Sequence, residues 1–381
     1  MAVRFIECNG SEYPMGVLQG RLLKDSITKA WEIMQDSPEL EHVRPKLAPK
    51  ALHLIHCQKK AVTFLKNYMA KFINHQTERV LGLTAGANLT QETLFFLQAY
   101  EMELQAKLDS FALNSGTVVG IFSEKSTTEE PIIAKNLDMS IDLNEHLLIR
   151  KSKPRDGYFS IELTHSFMAG TYSGMNQHGL TIVQNPCYCT DMLSLKTVPL
   201  AILIQEALQT CRTTDEAITA ITANHHRDIG GSLLITDAQQ NSKVLEVSRT
   251  KHSIAPVNQP VTVLGNQYTS SDMQELQFAA DSVWSSKAMS GFAGTPLYES
   301  SRKRREHLSS LIEQSKLLFD VDNVKALLAD HNDQNANDQD GVCRHGSPFS
   351  TQATVIFLPM SRTVHVSSGH PCTGDYSTHV L

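Results

Sequence analysis

The segment Asn114-Ser115-Gly116-Thr117-Val118-Val119-Gly120 sets a hydroxyl side chain at the head of an apolar run, and Ala134-Lys135-Asn136-Leu137-Asp138 follows after a short interval. A hairpin return between the two would bring a Lys-Asn-x-Asp cluster beside a Ser. A hydroxyl residue heading a strand suits chemistry in which one residue supplies both the attacking oxygen and the base. Once the preceding peptide bond is broken, its α-amine can take the proton, because the unperturbed pKa of that amine, about 7.7–8.0, lies near operating pH. The same residues also fit an ordinary β-hairpin that begins with Ser, and the segment alone leaves both readings open.

The elements that would position these residues change character along the chain. Residues 15–34 and 49–74 carry apolar side chains at a period near 3.6 and predict two helices, and a third opens at Thr90, a suitable N-cap. From residue 115 the texture turns to strands, predicted at 118–122, 132–134, 146–150, 158–163 and 181–183. Helices are expected at 199–211 and 214–223, strands at 232–236, 242–247 and 261–264, then a polar stretch over 274–314. A short helix over 321–329 and a terminal hairpin, 354–359 with 363–367, complete the reading, with 330–340 as a solvated loop. No repeat or low-complexity linker divides the chain, so a layered α+β body on antiparallel sheets is expected.

With 381 residues, 41% hydrophobic and 19% charged, the chain can bury a sizeable core. The net charge of −6 gives no reason to expect nucleic acid or an anionic membrane as a partner. No apolar run reaches the roughly 20 residues of a membrane span, and the first residues lack a signal-peptide core, so a cytoplasmic location is expected. Seven scattered cysteines argue for reduced thiols. Cys187-Tyr188-Cys189 has no second close pair to complete a zinc set, Cys343 reads as a packed thiol, and neither a metal nor a cofactor is expected.

Seven short motifs occur in an order that resembles the isopenicillin-N acyltransferase-like family of N-terminal-nucleophile (Ntn) hydrolases. Gly10-Ser11-Glu12-Tyr13-Pro14-Met15-Gly16 resembles that family's opening signature, and Leu81-Gly82-Leu83-Thr84-Ala85-Gly86-Ala87 with Thr90-Gln91-Glu92 its approach to the cleavage site. Ala134-Lys135-Asn136-Leu137-Asp138, Ser173-Gly174-Met175-Asn176-Gln177-His178-Gly179 and Leu264-Gly265-Asn266-Gln267 are similar to its central motifs. Val342-Cys343-Arg344-His345 and Gly369-His370-Pro371-Cys372 are similar to its closing ones.

The resemblance implies a four-layer αββα sandwich. Residues 1–114 would form a helical N-terminal segment that is not an independent domain, and residues 115–381 the body. It also implies a nucleophilic Cys, yet this chain has no Cys between Cys57 and Cys187. Three registers stay open: Ser115 in the place of the Cys, Thr117 in its place, or Gly116 there, which would leave the protein without a nucleophile. In the first, Ser115 attacks the Asn114 carbonyl and later a substrate amide. Asp138 would hold the α-ammonium by a charge-assisted bond and Asn266 would donate to the oxyanion. Lys135 stands where relatives carry Arg or Gln, Asn185 is a second donor candidate, and Arg344 would fix a substrate carboxylate.

The function implied is an Ntn-type hydrolase or N-acyltransferase that cleaves or forms the amide of a small N-acyl amine or dipeptide-like conjugate through an acyl-enzyme, self-processed before residue 115. The alternative is a non-catalytic relative that retains the fold as a binding or structural protein. A thiol enzyme using Cys187 or Cys189 is a third reading, although neither heads a suitable strand. The partner expected is the small N-acyl amine, with neither nucleic acid nor membrane. A homo-oligomer is compatible with the sequence.

Overall fold

The computed structural model describes residues 3–101, 115–191, 197–223, 226–227, 229–286, 288, 291–332, 340–346 and 349–381. Its strands, in chain order, begin with Arg4–Gly10 (β1), Ser115–Ile121 (β2), Ile132–Ser140 (β3), Leu147–Pro154 (β4), Ser160–His165 (β5), Ser173–Asn176 (β6), Thr181–Cys187 (β7) and Thr197–Val198 (β8). They continue with His226–Arg227 (β9), Gly230–Thr236 (β10), Ser242–Val247 (β11), His252–Pro256 (β12), Val261–Leu264 (β13), Phe349–Leu358 (β14), Thr363–Ser367 (β15) and Tyr376–Val380 (β16).

An eight-stranded sheet has the order β1-β4-β5-β6-β7-β10-β11-β12 and a six-stranded sheet the order β13-β2-β3-β14-β15-β16. Pairing is antiparallel throughout both, except between β1 and β4. The sheets face each other. Lys135 on β3 donates to the carbonyl of Gln184 on β7, and Asn185 on β7 donates to the carbonyl of Gly116 on β2. On the outer face of the six-stranded sheet, Val119, Ile121, Ile132 and Ala134 pack against Leu308 and Ile312 of the Glu299–Gln314 helix and Val324 and Leu328 of the Val321–Leu328 helix. On the other side the Leu200–Thr210 helix covers the eight-stranded sheet, tied down by Asn176, which donates to the carbonyls of Leu208 and Cys211. The layers are therefore αββα, the α+β class expected.

The N-terminal segment is built into this body. β1 adds a parallel edge strand and buries Ile6 and Cys8. Two helices, Glu12–Leu22 and Asn74–Ala87, then pack backbone to backbone through glycines spaced four apart. A Cβ at Gly16 would lie 2.1 Å from the Arg79 carbonyl oxygen, and one at Gly82 2.0 Å from that of Tyr13. Only hydrogen fits at such contacts, which explains both glycine motifs physically.

The helical reading of the N-terminal segment needs three corrections. β1 was not expected, because its apolar alternation is short and its outer residues are exposed. The apolar period over 15–34 spans two helices, Glu12–Leu22 and Lys24–Gln35, that change direction at Leu23. The helix expected over 49–74 is Lys50–Lys60 running through a π-helical turn, Ala61–Lys66, into Asn67–Phe72, and Asn74–Ala87 is a separate element. A side-chain period reports a continuous buried face and is blind to a break in the axis. The expected loop at 330–340 lies mostly outside the described residues, as does Asn114.

Candidate active site

The pairing of β2 with β3 sets Ser115 directly across from Asp138, Gly116 from Leu137 and Thr117 from Asn136. Strand alternation turns Val118 into the space between the sheets and Thr117 toward the Glu299–Gln314 helix. Between the two hydroxyls, Gly116 has φ +130°, and a Cβ built on it would lie 1.8 Å from the Asn136 carbonyl oxygen. No side chain fits at position 116 on this backbone.

Ser115, 4% exposed, opens into a cavity of about 280 Å³. Asn266, Arg304 and Arg344 share its polar wall, and Tyr188, Trp284, Phe292 and Leu297 form an apolar wall. Among the described residues Ser115 Oγ has no hydrogen bond to Asp138 or Asn266. Asn266 follows β13 and is held at both ends. Its backbone N–H donates to Ser301 Oγ at 2.7 Å, its Nδ2 to the Pro186 carbonyl at 3.0 Å, and its Oδ1 accepts from Arg304 at 3.3 Å. Arg304, fully buried, also donates to Thr117 Oγ1 at 3.3 Å and Ser300 Oγ at 2.6 Å. Burial first, and the Arg344 charge second, depress its pKa to about 10. At the mouth Lys303 pairs with Asp340 and Glu299 at 2.8 and 3.0 Å.

Asp138 reaches this wall through Arg344, whose Nη1 lies 3.6 Å from Asp138 Oδ2. Thr351 Oγ1 accepts from the Arg344 backbone N–H at 2.9 Å and donates to Asp138 Oδ1 at 2.7 Å. A bulge in β14 between Thr351 and Ala353 aims Thr351 at both. Asn136 secures the same loop from below, donating to the carbonyls of Leu328 at 2.8 Å and Val342 at 2.9 Å. The Lys-Asn-x-Asp strand and the Val-Cys-Arg-His loop are thus one assembly.

Of the seven residues singled out in the sequence, Ser115, Asn266 and Arg344 line the cavity, and Asp138 stands behind them. Thr117 does not line the cavity and stands behind Arg304, which does. Lys135 and Asn185 lie between the sheets and do not line the cavity. Lys135 Nζ donates to the Gln184 carbonyl at 2.5 Å, and burial lowers its pKa to about 7 against the raising effects of Asp138 and Glu101. The Asn185 amide is committed to the carbonyls of Gly116 at 3.0 Å and Leu264 at 3.4 Å. Cys187 and Cys189 are buried with their thiols pushed up by desolvation, Cys189 to about 12, which leaves little thiolate at neutral pH.

Arg304, Thr351 and Trp284 were not found from the sequence. A signal for Arg304 existed: Ser301, Arg304, Leu308 and Ile312 are the buried stripe of their helix, at helical spacing, within a run otherwise polar. Nothing in the sequence separates Thr351 from its neighbours, because its role comes from the bulge.

No curated protein matches the chain. Among solved structures, a Caenorhabditis elegans N-acylethanolamine-hydrolyzing acid amidase ortholog is 14% identical over 64% of this chain and 93% of that one, with a TM-score of 0.44. The R18L variant of conjugated bile acid hydrolase from Clostridium perfringens is 12% identical over 70% of this chain and 97% of that one, with a TM-score of 0.42. Penicillin V acylase from Agrobacterium tumefaciens is 15% identical over 72% and 80%, with a TM-score of 0.39. Residues 124–372, which hold Asp138, Asn185, Asn266 and Arg344 and begin just after β2, match the acyl-coenzyme A:6-aminopenicillanic acid acyl-transferase family, and the chain belongs to that family.

Proposed function

We propose that this protein is an Ntn-type amide hydrolase or N-acyltransferase with Ser115 as nucleophile, self-processed before residue 115. One observation carries the assignment: Ser115 is the hydroxyl of β2 that opens into the cavity beside Asn266 and Arg344. Position 116 admits no side chain on this backbone, and Thr117 lies behind Arg304 and does not line the cavity. The register that would place a lost nucleophile at Gly116 therefore finds no support in the backbone.

In self-processing Ser115 Oγ attacks the Asn114 carbonyl, and hydrolysis of the resulting ester frees the α-amine. In turnover that amine takes the hydroxyl proton as Oγ adds to the substrate amide carbon. The oxyanion accepts from the second Nδ2 hydrogen of Asn266, the first being held by the Pro186 carbonyl. Collapse expels the amine, which takes the proton from the α-ammonium, and water or a second amine then resolves the ester. Asp138 contributes by fixing Arg344 and by its negative charge across the ladder from the ammonium. The aromatic wall suits an apolar acyl group, and Arg344 with Arg304 suits a carboxylate on the amine side.

The test is amine release from a panel of N-acyl amino acids and N-acyl amines, with the acyl-enzyme trapped by acid quench. The expected result is an acyl adduct on the peptide beginning with Ser115, and no release by Ser115→Ala. An adduct on Thr117 or on a cysteine would overturn the assignment.

A further inference from the structure

Beyond the cavity, four side chains from distant parts of the sequence meet at the other end of the Arg344 loop. His331 follows the Val321–Leu328 helix, Cys343 and His345 flank Arg344, and Cys372 lies in the loop after β15. One ligand atom from each lies within 4.8 Å of all the others. His345 Nε2 approaches all three others, at 3.1 Å from His331 Nε2, 3.4 Å from Cys343 Sγ and 3.3 Å from Cys372 Sγ.

Hydrogen bonding alone accounts poorly for this arrangement. A ring nitrogen of a neutral imidazole makes one in-plane hydrogen bond, as donor or as acceptor, yet three partners crowd this one atom. A metal ion at the centre accounts for all of them. Zn–N bonds of about 2.0–2.1 Å and Zn–S bonds of about 2.3 Å put the corners of a tetrahedron roughly 3.3–3.8 Å apart, close to the spacings here. Two thiols and two imidazoles are also the donor set of closed, structural zinc sites.

We infer that His331, Cys343, His345 and Cys372 form a structural Cys2His2 site for a divalent transition metal, zinc in first place. Binding would displace the two thiol protons and leave a neutral Zn(Cys)2(His)2 centre. The ion would join three segments, the end of the Val321–Leu328 helix, the Val342–Gly346 loop and the C-terminal loop. It would hold Arg344, which sits between two ligands, against Asp138. The sequence gives no signal for this site, because the ligands lie far apart in the chain and only Cys343 and His345 are close neighbours.

The test is zinc content of the full-length protein, expressed with zinc in the medium and dialysed against a weak chelator, measured by plasma mass spectrometry. One zinc per chain is expected. Replacement by cobalt(II) should give ligand-field bands of tetrahedral intensity together with thiolate charge-transfer absorption. Cys343→Ser and Cys372→Ser should each lose the retained metal, and Cys211→Ala should keep it. Should those variants fail to fold, the stoichiometry and cobalt spectrum of the unmutated chain still decide. A folded chain that retains no zinc, metal indifferent to both substitutions, or a Cys343–Cys372 disulfide in the non-reduced protein would each overturn the proposal.

Discussion

Two fully buried arginines, Arg150 and Arg304, show how the same side chain serves a framework and a site. Arg150, on β4 in the eight-stranded sheet, donates to Glu162 at 2.9 Å, to Gln19 and Gln205, and to the carbonyls of Met168, Ala169 and Gly170. Its charge is matched and its donors are saturated. Among the described residues Arg304 donates only to neutral oxygens, two of them at 3.3 Å, and no carboxylate lies within ion-pair distance of it. Burial pulls both pKa values down, and a neighbouring arginine adds to the shift at each, Arg79 at Arg150 and Arg344 at Arg304. Glu162 opposes it at Arg150 in direct contact, whereas Asp138 and Asp340 oppose it at Arg304 from beyond ion-pair distance. Positive charge beside a cavity with no carboxylate in contact costs stability, and a bound anion recovers that cost.

The comparison predicts opposite outcomes for one substitution at two places. Arg150→Met strands the buried carboxylate of Glu162 and should cost about 3–5 kcal/mol of folding stability in denaturant titration. Arg304→Met removes a buried charge with no carboxylate in contact, so its stability should change by less than about 1 kcal/mol while turnover falls, because Asn266 Oδ1 loses its donor. Equal destabilisation by both would break the distinction. Asn266→Ala should lower kcat by about 10²–10³-fold with the unfolding midpoint nearly unmoved. A matching loss of stability would make Asn266 a framework residue.

Arg344→Lys keeps the charge but loses the planar fork, and should raise KM about tenfold for substrates with a carboxylate, with little change for uncharged amides. Equal effects on both substrate classes would remove the anion-binding role. A further effect, spread over several pH units, concerns Lys135, buried like Arg150 and with a pKa lowered to about 7. Its folded value lies below its unfolded one, so the unfolded chain binds more protons between about pH 7 and pH 10.5. Stability should therefore rise with pH across that window, by about 1 kcal/mol per pH unit, and below pH 7 the burial penalty is present in full. Lys135→Met should flatten that slope, and an unchanged slope would place the titration elsewhere.

Much of the site could be read from the sequence where chemistry is local. The Thr90 cap accepts from the Thr93 N–H, the terminal hairpin forms between β14 and β15, and Asp138 falls opposite Ser115, because caps, alternation and hairpins are set by neighbouring residues. What folding alone determines could not be read. The exposed edge strand β12 carries no apolar pattern, and β1 pairs with a strand more than a hundred residues away. Lys135 and Asn266, both flagged by motif, end up in different surroundings, Lys135 between the sheets and Asn266 on the cavity wall, because register and packing set what a side chain meets and the motif that contains it does not.

The central claim is that Ser115 is an N-terminal nucleophile in waiting. Intact mass spectrometry of freshly purified full-length protein beside its Ser115→Ala variant tests it most directly. The unmutated protein should resolve into two polypeptides, the larger beginning at Ser115, while Ser115→Ala stays a single chain of 42.3 kDa. A single uncut chain from the unmutated protein, or the same cut in both proteins, would contradict it.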